Sequence, residues 1–213
     1  KQPNRVMAPV QWFGGKGLLA SRIVPLIPKV DVYVEPFCGA ASVFWAARPG
    51  GSVVLNDLNE SIVNLFRVLQ DPKTFEEFAH RITWTPYSRA EFVRALGLVT
   101  DDPVMRAWAF FVRLNQGFGG RGRTVGDWGR TLQSAGGCMG TVHRWRMRMG
   151  LLEWWHERLT KVQIDCRDAI DCIRFWDGPK TVFYVDPPYL MSTRLGGRLE
   201  VECGDEYHAV LID

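Results

Sequence analysis

Four short apolar runs stop abruptly at polar or glycine residues: Val32-Tyr33-Val34, Val53-Val54-Leu55, Val162-Gln163-Ile164 and Val182-Phe183-Tyr184-Val185. β-Branched and aromatic residues in runs this short predict buried strands. Between the first two runs, the small residues Gly39-Ala40-Ala41-Ser42 lead into Val43-Phe44-Trp45-Ala46-Ala47, a helix of crossover length, so the flanking strands should pair in parallel. After Asn56-Asp57, the stretch 58–69 places Ile62, Leu65, Phe66 and Leu69 on one helical face, with Asp57 or Asn59 as amino-terminal cap. This alternation predicts an α/β protein with a doubly wound parallel sheet.

The second and third runs are separated by far more chain than a crossover requires, so the sequence predicts an insertion. We divide the chain into a sheet domain formed by residues 1–70 and 161–213, and an inserted region at 71–160. Helical periodicity appears over 75–82, 89–98, 104–114 and 142–159, whereas 115–140 is glycine-rich and aperiodic, as functional loops often are. Only 24 residues follow Tyr189, and Tyr207 to Asp213 reads as the start of a helix. A full sheet of this class should therefore need carboxyl-terminal strands beyond those supplied.

With 213 residues, 46% of them hydrophobic and 12% aromatic, the chain can fill a real core. No apolar stretch approaches the ~20 residues of a membrane helix and no signal-type segment opens the chain, so we expect a cytoplasmic protein with no membrane partner. The five cysteines are scattered without a Cys-x-x-Cys pair, which argues for free thiols and no metal. The net charge of +3 says little, but its distribution says more. From Arg106 to Arg148 there are eight arginines (106, 113, 121, 123, 130, 144, 146, 148) and one acid, Asp127, interleaved with Trp108, Trp128, Trp145 and glycines. Arginine in such a setting suits bidentate contacts to phosphate or guanine, against the plainer alternative of a solubilising loop.

Asp186-Pro187-Pro188-Tyr189 follows the fourth run and combines a hydrogen-bond acceptor, a stiff backbone and an aromatic face, which suits it to gripping a flat amine. It should project from the carboxyl edge of the sheet, where open α/β proteins bind ligands. Gln11-Trp12-Phe13-Gly14-Gly15-Lys16 is a tight glycine turn carrying an aromatic and a lysine. Val34-Glu35-Pro36-Phe37-Cys38-Gly39-Ala40-Ala41-Ser42 crosses the end of the first strand with small residues, which lets a nucleoside approach the backbone. Asp57 closes the second strand, placed to accept from both hydroxyls of a ribose.

In this order, the three motifs closely resemble the Dam-like (D12 class) DNA adenine-N6 methyltransferases. The departure is Gly39-Ala40-Ala41, where the family more often has Gly-Ala-Gly or Gly-Gly. The resemblance implies a Rossmann-like methyltransferase sheet, S-adenosylmethionine as cofactor and double-stranded DNA as partner, and it leaves room for a cognate restriction endonuclease. It implies catalysis by Asp186, Pro187, Pro188 and Tyr189: Asp186 and the Pro187 carbonyl accept both hydrogens of the adenine amine, and Tyr189 stacks on the flipped base. Trp12, Lys16, Glu35, Pro36, Phe37, Gly39, Asp57, Asp168 and Asp186 would line the cofactor, with Lys16 on its carboxylate, Trp12 packed beside it and Asp168 reading its adenine. Arg113, Asn115, Arg121, Arg123 and Arg130 would contact DNA. The plainer alternative for Asp57 and Asp168 is a helix cap. Methylation of cytosine N4, RNA or protein glutamine, or an inactive DNA-binding relative, remain alternatives. A nicotinamide enzyme should carry Gly-x-Gly-x-x-Gly, which is absent.

Overall fold

The computed structural model describes residues 7–120, 122–135 and 137–188. In chain order its helices and strands are α1 (Ala20–Ile23), β1 (Val32–Glu35), α2 (Ser42–Ala47), β2 (Ser52–Asn56), α3 (Glu60–Gln70), α4 (Pro72–Thr83), α5 (Arg89–Gly97), α6 (Pro103–Gln116), β3 (Ser134–Ala135), β4 (Cys138–Met139), α7 (Gly140–Met149), α8 (Leu152–Leu159), β5 (Val162–Asp165), α9 (Ala169–Trp176) and β6 (Thr181–Phe183).

Polar side chains set the starts of α3, α4, α5, α6 and α9. Asn59 Oδ1 accepts from the Ser61 and Ile62 amides and caps α3, which settles that choice and leaves Asp57 outside the helix. Asp71 and Asp102 cap α4 and α6, each followed by proline at the first helical position, where the missing N–H costs nothing. The long helical period over 142–159 resolves into α7 and α8, broken at Gly150-Leu151, with Leu151 buried and its carbonyl receiving the Trp155 amide. The aperiodic stretch contains an antiparallel pair, β3 with β4. β6 ends at Phe183, two residues before its apolar run does.

The four main strands are parallel in the order β5-β2-β1-β6. From β1 the chain moves outward to β2 and β5, then returns to the other side of β1 as β6. Strand order therefore reverses between β1 and β6, and a crevice opens at their carboxyl ends, the position where such sheets bind ligands. The register brings Val34 level with Phe183, so the residues after Glu35 and after Phe183 emerge side by side.

The two faces of the sheet are covered unequally. Tyr33, Val53 and Leu55 point into a large core shared with Phe66 of α3, Phe78 of α4, Trp108 and Phe111 of α6 and Trp155 of α8. The helices of the 71–160 region therefore complete the hydrophobic core of the sheet. On the other face Val34 and Val54 meet Cys172 of α9. Buried indoles are satisfied by donation: Trp45 Nε1 to the Ala40 carbonyl, Trp108 Nε1 to Thr85 Oγ1, and Trp155 Nε1 to the Met7 carbonyl. Among the described residues no helix is long and apolar enough to cross a membrane.

Candidate active site at the carboxyl edge of the sheet

The loop after β1 is built by residues that are themselves buried. Glu35, 1% exposed, accepts from the Tyr33 hydroxyl at 2.8 Å and from the Phe44 amide in the first turn of α2. Ala41, the residue that opens α2, has no side chain to cap it, so Glu35 supplies an acceptor from the neighbouring strand. Burial pushes the Glu35 carboxyl up to about 8, the Tyr33 and Phe44 hydrogen bonds oppose that rise, and the charge of Asp186 adds to it.

Gly39 follows with a φ of +47°, and a side chain there would meet the Trp12 indole at 2.5 Å. Only glycine lets the indole lie on this turn. Trp12 also packs edge-on against Phe110 of α6. Ala41 is itself left-handed, with φ 54°, a strained conformation for a residue with a Cβ at the point where chain direction reverses. Asp57 is half-buried below this loop, with Oδ2 accepting the Gly39 amide at 2.7 Å and Oδ1 the Asn59 amide at 2.9 Å. Burial raises its carboxyl, and these amides pull it back.

Asn56, fully buried beside Asp57, did not stand out in the sequence. Its Nδ2 donates to the carbonyls of Pro36 and Arg167, and its Oδ1 accepts from the Arg167 amide. One amide thus ties the loop after β1 to the loop after β5. The loop after β5 delivers Asp168, whose Oδ1 caps α9 by accepting from the Ile170 and Asp171 amides at 2.9 and 3.4 Å.

Across the crevice, Lys16 and Asp186 meet. Lys16 Nζ donates to both carboxylate oxygens of Asp186, at 2.6 Å to Oδ1, and to the Gly14 carbonyl at 3.2 Å. Both side chains are mostly buried, at 15% and 23% exposed. The site thus gathers Trp12, Lys16, Glu35, Gly39, Asp57 and Asp186 around the end of β1, with Pro36 buried and Phe37, Pro187 and Pro188 partly buried along its rim. Tyr189 and Arg121 lie outside the described residues.

Of the arginine-rich region, Arg123 and Arg130 are exposed and Arg113 is half-buried on α6. Asp127 accepts from the Arg123 and Thr124 amides and so shapes the tip. Asn115 is instead buried, its Nδ2 donating to the Pro9 carbonyl and its Oδ1 accepting from the Gln11 amide. Those bonds anchor the segment carrying Trp12 and Lys16, so the Asn115 amide is turned inward rather than presented at the surface.

Residues 12–95 match the family described as D12 class N6 adenine-specific DNA methyltransferase. The matched segment contains Trp12, Lys16, Glu35 to Gly39 and Asp57. Proteins named DNA adenine methylase from two strains of Vibrio cholerae serotype O1 are each 30% identical over 115 residues, which is 52% of this chain and 41% of theirs. One of the same name from Serratia marcescens is 34% identical over 61 residues, 29% of this chain and 22% of its own. The chain matches about two fifths of the length of the Vibrio relatives. The resemblance carried by the three motifs is borne out, and the parallel four-stranded sheet fits a Rossmann-like methyltransferase fold.

Proposed function

We propose that the protein transfers a methyl group from S-adenosylmethionine to the N6 amine of an adenine flipped out of duplex DNA. What supports this reading is that the Lys16–Asp186 ion pair and the Asp57-bound loop after β1 lie at the carboxyl ends of adjacent strands, inside a chain similar to the D12 class. The residues present suit the cofactor. Asp57 accepts from the Gly39, Asn59 and Leu58 amides, and of the roughly four lone-pair positions of a carboxylate one is left that a ribose hydroxyl can use. Lys16 supplies the positive charge that a methionine carboxylate requires, and the Trp12 indole floors the glycine turn beside it.

When bound, the cofactor supplies an electrophilic methyl group on a sulfonium. The chain supplies orientation. Asp186 and the Pro187 carbonyl accept the two hydrogens of one exocyclic amine, turning a delocalised lone pair toward the methyl carbon. The amine held by these acceptors would take up that methyl group and lose one proton to solvent. The exposed Arg123 and Arg130 hold backbone phosphates, with Tyr189 as the stacking face for the flipped base.

Transfer of labelled methyl groups to duplex DNA, followed by nucleoside chromatography, tests the reading. Label in N6-methyladenine is the expected result. Label in N4-methylcytosine, or only in RNA or protein, overturns the substrate.

A further inference from the structure

Arg148, near the end of α7, is 5% exposed, and its Nε and Nη1 are buried with no hydrogen-bond partner. Among the described residues it makes no ion pair, and the charge acting on it is Arg144, one turn earlier on the same helix and of like sign. Burial and that neighbour push the Arg148 guanidinium down to about 10. A buried cation facing a second cation is among the costliest arrangements a fold can keep, and an oxyanion relieves it best because two guanidiniums can fork onto one phosphate.

The surroundings say which oxyanion. Arg144 is exposed, and its charge also reaches the Tyr87 hydroxyl. That hydroxyl donates to the Gly129 carbonyl, with the Gln116 carbonyl 3.3 Å away, both within the glycine-rich stretch. Trp145, between the two arginines in sequence, is buried against Tyr87 and Phe111 and fixes the rotation of α7 about its axis. We propose that Arg148 and Arg144 form a phosphate seat at the base of the recognition tip, which takes one backbone phosphate of bound DNA. This rests on the DNA reading above and adds a contact that it does not contain. Arg148 is the deep, pre-oriented donor, and Arg144 closes over the phosphate from solvent.

The test is the salt dependence of duplex DNA binding by the full chain. Arg148→Met should melt at or above the wild-type temperature, because it removes an uncompensated buried charge. It should weaken binding to all duplex sequences alike, with the slope of log affinity against log salt shallower by about 0.9, the value for one phosphate. Arg148→Lys should recover most of that slope. A folded Arg148→Met with the wild-type slope overturns the proposal. If Arg148→Met does not fold, Arg144→Ala decides: a shallower slope supports the seat and an unchanged slope removes it. If the wild type binds no duplex DNA, the functional reading falls, and melting in inorganic phosphate at constant ionic strength decides the seat. Stabilisation of the wild type but not of Arg144→Ala keeps it for free phosphate, and equal responses remove it.

Discussion

Asp186 meets Lys16 through both of its oxygens, so the acceptor proposed to grip the target amine is already oriented by a cation. Asp186→Asn keeps the shape but loses the charge and one acceptor. Turnover should fall by about 100-fold or more, the scale of losing one preorganised electrostatic group, while DNA affinity changes only a few-fold; single-turnover kinetics beside a binding titration separates the two. Glu35 gives a prediction of another kind. Its carboxyl is raised from 4.5 to about 8, so the folded chain holds a proton that the unfolded chain has already released. Its contribution is therefore full below about pH 4.5 and is lost as pH climbs through about 8, on the order of 3–5 kcal/mol in all. Glu35→Gln should flatten that fall, seen as denaturant unfolding free energies of the two proteins that diverge between pH 5 and 8. The motifs singled out both residues, but they gave neither the partners of either nor the buried, proton-holding role of Glu35. Lys16 and Asp186 are 170 positions apart, and neither periodicity nor composition records that pairing.

At the scale of elements, the loops after β1 and β5 are held at one height by Asn56. Asn56→Ala would leave the carbonyls of Pro36 and Arg167 without this donor and the Arg167 amide without this acceptor. We expect a loss of about 2–4 kcal/mol in denaturant unfolding, below the sum over separate groups because the loops relax. Cofactor affinity should drop with it, since Asp168 stands on the loop after β5 and Asp57 holds the Gly39 amide of the loop after β1. The four strands of the main sheet and the Asn59 cap were legible because they depend on local chemistry, whereas Asp168 was offered first as a cofactor residue and only alternatively as the cap it forms, and β3 and β4 were not read at all. Boundaries were less so. The break between α7 and α8 hides inside one continuous helical period, because Gly150 ends a helix whose successor keeps a similar spacing of apolar residues. The short β6 reflects its neighbour: Tyr184 still donates to the Val34 carbonyl, but Val185 is 42% exposed and Pro187 has no amide to donate.

Over the whole molecule, parallel pairing followed from crossover length, but the order β5-β2-β1-β6 did not, because either side of β1 would satisfy the same hydrophobic runs. That order puts Asp57, after β2, and Asp186, after β6, on either side of the end of β1, while the exposed Arg123 and Arg130 lie in the segment that follows α6. The separation of charge predicts a separation of roles. Arg123 and Arg130 are exposed and reach no carboxylate of the crevice, so replacing both with alanine should leave folding and cofactor affinity within about two-fold. Duplex DNA should bind more weakly, equally for all sequences, and the slope of log affinity against log salt should become shallower by nearly two units if each arginine neutralises one phosphate. Because the lost energy is electrostatic, the defect should be largest at low salt and shrink as screening rises. Fluorescence titrations from low to physiological salt check this; a defect independent of salt, or confined to one DNA sequence, would make these arginines readers of bases instead of holders of the backbone.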